Sequence, residues 1–80
     1  MKIGQSPDNL VRNTGDIGLL IRNKRKKFGL TQVEAAGMCN VGVRFLSDVE
    51  NGKKTLQIEK VLHVLKTFGF DIAIIDRTEG

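Results

Sequence analysis

Helix-ending residues punctuate this chain at short intervals, and that spacing restricts it to short helices. Gly29, Asn40, the pair Asn51-Gly52, and Gly69 each stand where an apolar-periodic run stops. Glycine tolerates the left-handed backbone that closes a helix, and asparagine is the best substitute for it. Between the stops, apolar residues recur at steps of three and four. The periodicity predicts a helix from about Asp16 to Phe28, with Ile17, Leu20, Ile21 and Phe28 on one face. Basic residues fill its last turns, where the helix dipole favours them. Thr31 and Glu34 form a T-x-x-E capping box at the head of a second helix, which reaches about Cys39. A third runs from Val43 to about Glu50. Thr55 is placed to cap a fourth, from about Leu56 to Phe68, with Val61, Leu62, Leu65 and Phe68 inward. Ahead of these, Ser6 as N-cap and Pro7 at the first helical position predict a short helical turn, which "NTG" interrupts.

The period then changes. In "FDIAIID", Phe70, Ile72 and Ile74 alternate with Asp71, Ala73 and Ile75, the two-residue repeat of a strand. The chain supplies no second strand, and a lone one leaves its backbone donors and acceptors unpaired. The simplest partner is the same strand of a second subunit across a two-fold axis, with Phe70, Ile72, Ile74 and Ile75 as dimerisation residues. The expected fold is therefore mostly α, four to five helices, with a C-terminal β-strand over 70–76 pairing across a dimer.

Composition narrows the chemistry. Eighty residues, 40% of them apolar and 28% charged, make one small globular domain, near the lower limit for a single core. Cys39 is the only cysteine and His63 the only histidine. A structural zinc needs about four ligands of these types, so a zinc site is excluded, as is an intramolecular disulfide. The start "MKIGQSPD" is too polar for a signal peptide, and "FDIAII" is too short to span a bilayer. A soluble, reduced, cytoplasmic setting is expected. No paired carboxylates, phosphate-cradling glycine loop or nucleophile-base pair stands at convincing spacing, so the chain is not expected to be an enzyme and no cofactor is implied. Charge is uneven. Residues 1–54 carry ten basic and five acidic groups, and residues 55–80 carry three and four. The first part should meet a polyanion.

Two short helices joined by a three- or four-residue turn form a helix-turn-helix unit, here Gln32–Cys39 and Val43–Glu50 around Asn40-Val41-Gly42. At "GLTQVEAAGMCNVGVRFLSDVENGK" the chain resembles the Cro- and repressor-like (XRE-type) DNA-binding family, whose domain is lambda-repressor-like. The likeness covers roughly residues 16–68. The tail, "TLQIEKVLHVLKTFGFDIAIID", is similar to the HipB-type antitoxin branch. That likeness implies a homodimer that represses its own operon and binds a HipA-like kinase toxin. Asn40 stands where the family usually has glycine, and Gly42 where it has a serine or threonine N-cap. The second change costs only a few tenths of a kcal/mol relative to a good cap, but removes a hydroxyl that could bond a phosphate.

Candidate roles follow along the third helix. Phe45, Leu46 and Val49 share an apolar face, so Val43, Arg44, Ser47 and Asp48 point elsewhere and are the base-contact candidates. Arg44 can bond a guanine edge bidentately. Val43 can touch a thymine methyl, Ser47 a base or a phosphate. Asp48 either accepts from cytosine or holds Arg44 or another cation in place. Gly42 lets the backbone approach a phosphate, and Lys53 and Lys54, with Asn51 before them, are phosphate-contact candidates. The resemblance places a further phosphate contact at Gln32, whose alternative role is plain helix surface. It also makes Arg25 and Glu50 an internal ion pair tying the first helix to the third. The Lys24, Lys26, Lys27 cluster is either a solvated face or a contact. His63 reads as a surface or interface histidine. The expected function is a sequence-specific, homodimeric repressor, specifically an antitoxin. The alternatives are a stand-alone XRE-type repressor and a toxin-binding module without operator specificity.

Overall fold

The computed structural model describes residues 10–78, so the turn expected at Ser6-Pro7 lies outside the described residues. Four helices follow in order: α1 (Thr14–Lys27), α2 (Gln32–Cys39), α3 (Val43–Glu50) and α4 (Ile58–Thr67). No β-strand forms among the described residues.

α1 starts two residues before the position that periodicity suggests. Asn13 is its N-cap, extended, with its side-chain oxygen accepting from the Asp16 N–H at 2.9 Å. The Asp16 carboxylate in turn accepts from the Arg12 N–H at 2.9 Å. Within "NTG", Asn13 is thus the cap, and Thr14 and Gly15 open α1. α2 opens on the complete Thr31–Glu34 capping box and closes at Asn40, left-handed at φ 58°, ψ 44°. The Val41 N–H then reaches the Ala36 carbonyl at 3.0 Å, which turns the chain sharply into α3. α4 begins at Ile58 with Gln57 as N-cap, later than Thr55-Leu56 suggests, because Leu56 packs on the core from the preceding connection.

The core lies where the four helices meet, with Ile21, Leu46, Val49, Val64 and Phe68 almost wholly enclosed. Two residues expected inside face out. Leu62 is exposed, and Val64 takes the inward place. Phe28 is half exposed, one ring face stacked on Phe68 with centroids 6.1 Å apart. α1 and α3 approach at backbone distance. A Cβ added at Gly18 would lie 2.3 Å from the Val49 carbonyl oxygen and 2.7 Å from that of Glu50. Only hydrogen fits there.

The strand expected over 70–76 does not form within the chain. Phe70 leaves the expected alternation. It is half-buried against the chain's own core, under the Lys24 ammonium, which sits 4.5 Å from the ring centroid. Ile72, Ile74 and Ile75 are exposed, Ile74 at 94%. A period of two specifies which residues share a face, but a ladder needs a second strand to accept its hydrogen bonds, and these residues meet none here.

Candidate nucleic-acid interface

The third helix divides its residues cleanly. Leu46 and Val49 are fully enclosed, Phe45 is half-buried under the Lys60 ammonium, and Val43 and Arg44 are exposed. Ser47 and Asp48 sit at the edges, half-buried. Gly42 caps α3 in an extended conformation without a side-chain hydrogen bond, so the first-turn N–H groups of α3 have no cap acceptor. Open space surrounds Gly42.

What fixes this helix is a buried polar network at its carboxyl end. Arg25 of α1 donates from Nε to Glu50 Oε2 at 2.6 Å and from its terminal nitrogen to Oε1 at 3.0 Å. The same guanidinium reaches the Leu30 carbonyl at 2.7 Å, pinning the start of α2. The Gln32 side-chain amide donates to Glu50 Oε1 at 3.0 Å. Both charged side chains are nearly enclosed, at 10% and 3% exposure. Burial pushes the Glu50 carboxyl up, but the hydrogen bonds from Arg25 and Gln32 and the charges of Arg25 and Arg22 outweigh it, so the net shift is downward. Arg25 is raised, first by its bond to Glu50, against burial. Three helices are therefore tied at one carboxylate.

From sequence alone, Gln32 is a phosphate contact or plain surface. One of its two amide hydrogens serves Glu50, which leaves the other for a contact beyond the protein. Asp48 holds a cation, but that cation is Lys53 at 3.6 Å and not Arg44. The pair is exposed on the lysine side, so it is weak. Lys54 is exposed and borders a cleft of about 170 Å³ with Ile17, Leu56 and Ile58, smaller than a ligand pocket of about 300–1,000 Å³. The Asn51 side-chain amide lies 3.5 Å from the Ser47 hydroxyl, too long to immobilise either. Of the Lys24, Lys26, Lys27 cluster, Lys24 is accounted for by Phe70 and Phe28, and the other two are exposed.

Two ties are not legible in the sequence. The Thr14 hydroxyl donates to the Gly52 carbonyl at 2.8 Å, fastening the loop after α3 to the head of α1. His63 Nε2 lies 2.8 Å from the Cys39 carbonyl oxygen. A carbonyl only accepts, so Nε2 carries the proton and joins α4 to the end of α2. Cys39 itself is buried, and burial pushes its thiol up, partly offset by Thr67. Such a thiol is inert.

Two short helices locked around a left-handed turn, the second offering a polar face to solvent, define a helix-turn-helix protein. The family comparison agrees: the model described as Helix-turn-helix matches residues 21–75. The chain belongs to the helix-turn-helix family. It is 49% identical over 65 residues to "Uncharacterized HTH-type transcriptional regulator y4mF" of Sinorhizobium fredii (strain NBRC 101917 / NGR234), covering 81% of this chain and 86% of that protein. It is 30% identical over 63 residues to "ImmF control region 10 kDa protein" of Bacillus phage phi105, covering 79% and 70%. No helix among the described residues is long and apolar enough to cross a membrane.

Proposed function

We propose that this protein is a transcriptional repressor that binds operator DNA in a sequence-specific manner, as a homodimer, by occupancy and without catalysis. The observation that carries this reading is the exposed Val43–Arg44 start of α3, set on a helix whose far end is immobilised by Arg25, Glu50 and Gln32. A helix that enters the major groove needs its outer side chains free and its own orientation fixed, and α3 combines both. The names of the two relatives, a transcriptional regulator and a phage control-region protein, support the same reading. Val43, Arg44, Ser47 and Asp48 then face bases, and Gln32, Gly42, Asn51, Lys53 and Lys54 face phosphates. A footprint on the DNA upstream of the protein's own gene tests it. Protection of one discrete site supports the reading, and uniform coverage at all concentrations overturns it.

A second reading adds a toxin partner. Its support is the resemblance of the tail, in which the exposed run Ile72, Ile74 and Ile75 beyond the clamped Phe70 is surface for a second copy. In this reading the run pairs with its copy in the dimer, and the protein neutralises a HipA-like kinase as the resemblance of the tail suggests. Co-purification with the product of the adjacent gene would support it, and a lone homodimer would leave a stand-alone repressor.

A further inference from the structure

We infer that Arg22 is an additional phosphate-binding residue, seating the DNA backbone along the α2 side of the recognition helix. This rests on the DNA-binding reading above. Gly18, Arg22 and Arg25 fall at steps of four and three on α1, so they share one side of that helix. Its two ends are located by contact. Gly18 lies against the terminal carbonyls of α3, and Arg25 grips Glu50. Arg22 stands between them, and its charge reaches the Glu50 carboxylate.

Glu50, Ser47 and Val43 form one stripe of α3 at helical spacing, the edge that leads to the candidate base-reading residues. Arg22 on α1, beside Glu50, and Gln32 on α2, bonded to Glu50, thus both lie at the Glu50 end of that stripe. Arg25 commits its donors to Glu50 and Leu30. Arg22 is exposed and has no hydrogen-bond or ion-pair partner among the described residues. An arginine presents a planar fork of donors suited to phosphate oxygens. With the second amide hydrogen of Gln32, it would offer donors from two helices to one strand.

The test measures binding of wild-type protein, Arg22→Ala and Arg22→Lys to a duplex selected by the wild type from a random library, and to a scrambled duplex, across a salt series. Arg22→Ala should weaken binding to both duplexes by the same factor. It should also lower the slope of log affinity against log salt by about 0.9 for each phosphate that each subunit no longer neutralises. Arg22→Lys should restore most of the slope, and the melting temperatures of all three should agree closely. An unchanged slope in Arg22→Ala, with or without a loss of thermal stability, would show that Arg22 serves only the carboxyl end of α3. If the wild type selects no duplex, the DNA-binding reading itself fails first, an outcome distinct from selective binding with an unchanged slope.

Discussion

Glu50 ties three helices together, because α3 carries it and α1 and α2 bond to it through Arg25 and Gln32. Removing it leaves the Arg25 guanidinium enclosed with only the Leu30 carbonyl as acceptor. Glu50→Ala should therefore cost about 3–5 kcal/mol, out of the roughly 5–15 kcal/mol that holds a small domain folded. Thermal melts should show a large drop for Glu50→Ala and almost none for the exposed control Glu59→Ala. Equal melting temperatures would mean the network is dispensable. The pair also sets an acid limit. The folded protein holds the Glu50 carboxyl below its ordinary value of 4.5, so its contribution is fully present above that value. It is lost as pH falls through the lower folded-state value. Glu50→Gln should lose less stability than the wild type between neutral and strongly acid pH, as chemical denaturation at each pH would show. Lys53 acts at the same scale, only loosely held by Asp48. Lys53→Ala should weaken binding to every duplex alike and flatten the salt dependence by about 0.9 for each phosphate left without its lysine.

At the scale of elements, the contact between α1 and α3 depends on a missing side chain. Gly18→Ala would place a carbon against two backbone oxygens that cannot yield without separating the helices. Overpacking of this kind costs about 1–3 kcal/mol or more. Gly37, inside α2, has open space around it, so Gly37→Ala should instead stabilise by about 0.5–1 kcal/mol through helix propensity. Melts of the two variants should move in opposite directions, and a shared direction would refute the packing explanation. The contrast also shows what a sequence displays. Caps and stops are local chemistry, so the Thr31–Glu34 box and the left-handed Asn40 can be read directly. Gly18 looks like any helical glycine, because the reason for it lies on another helix. The capping of α1 by Asn13 is hidden for a different reason: asparagine, threonine and glycine in a row signal a break and a start equally well. Val64 takes the place expected of Leu62 because three- and four-residue steps allow neighbouring stripes on a short helix. Gln32 has two amide hydrogens, and sequence alone does not reveal that one is used internally. The tail alternates in sequence, but whether its groups find a ladder depends on a second strand.

For the whole molecule, the division within the tail determines how assembly can be tested. Phe70 belongs to the core of its own chain, whereas Ile72, Ile74 and Ile75 are exposed. Truncation after Phe70 should therefore leave the helical fold and its melting behaviour close to those of the full chain. If the exposed residues join two copies, the truncated protein should elute as a monomer with light scattering to match, and a persistent tight dimer would move the interface to α4. Dimerisation matters because two recognition helices on a two-fold axis face half-sites about one turn of DNA apart, roughly 34–36 Å. The most direct measurement is selection of duplexes from a random library by the wild type and by Arg44→Ala in parallel. The wild type should enrich a near-palindrome with half-site centres about 10–10.5 base pairs apart or a multiple of that. Arg44→Ala, equally stable, should lose preference at one or two base pairs in each half-site, by about 1–3 kcal/mol each. Enrichment of no common sequence by the wild type, or identical base preferences in the two proteins, would contradict α3 as the reading helix.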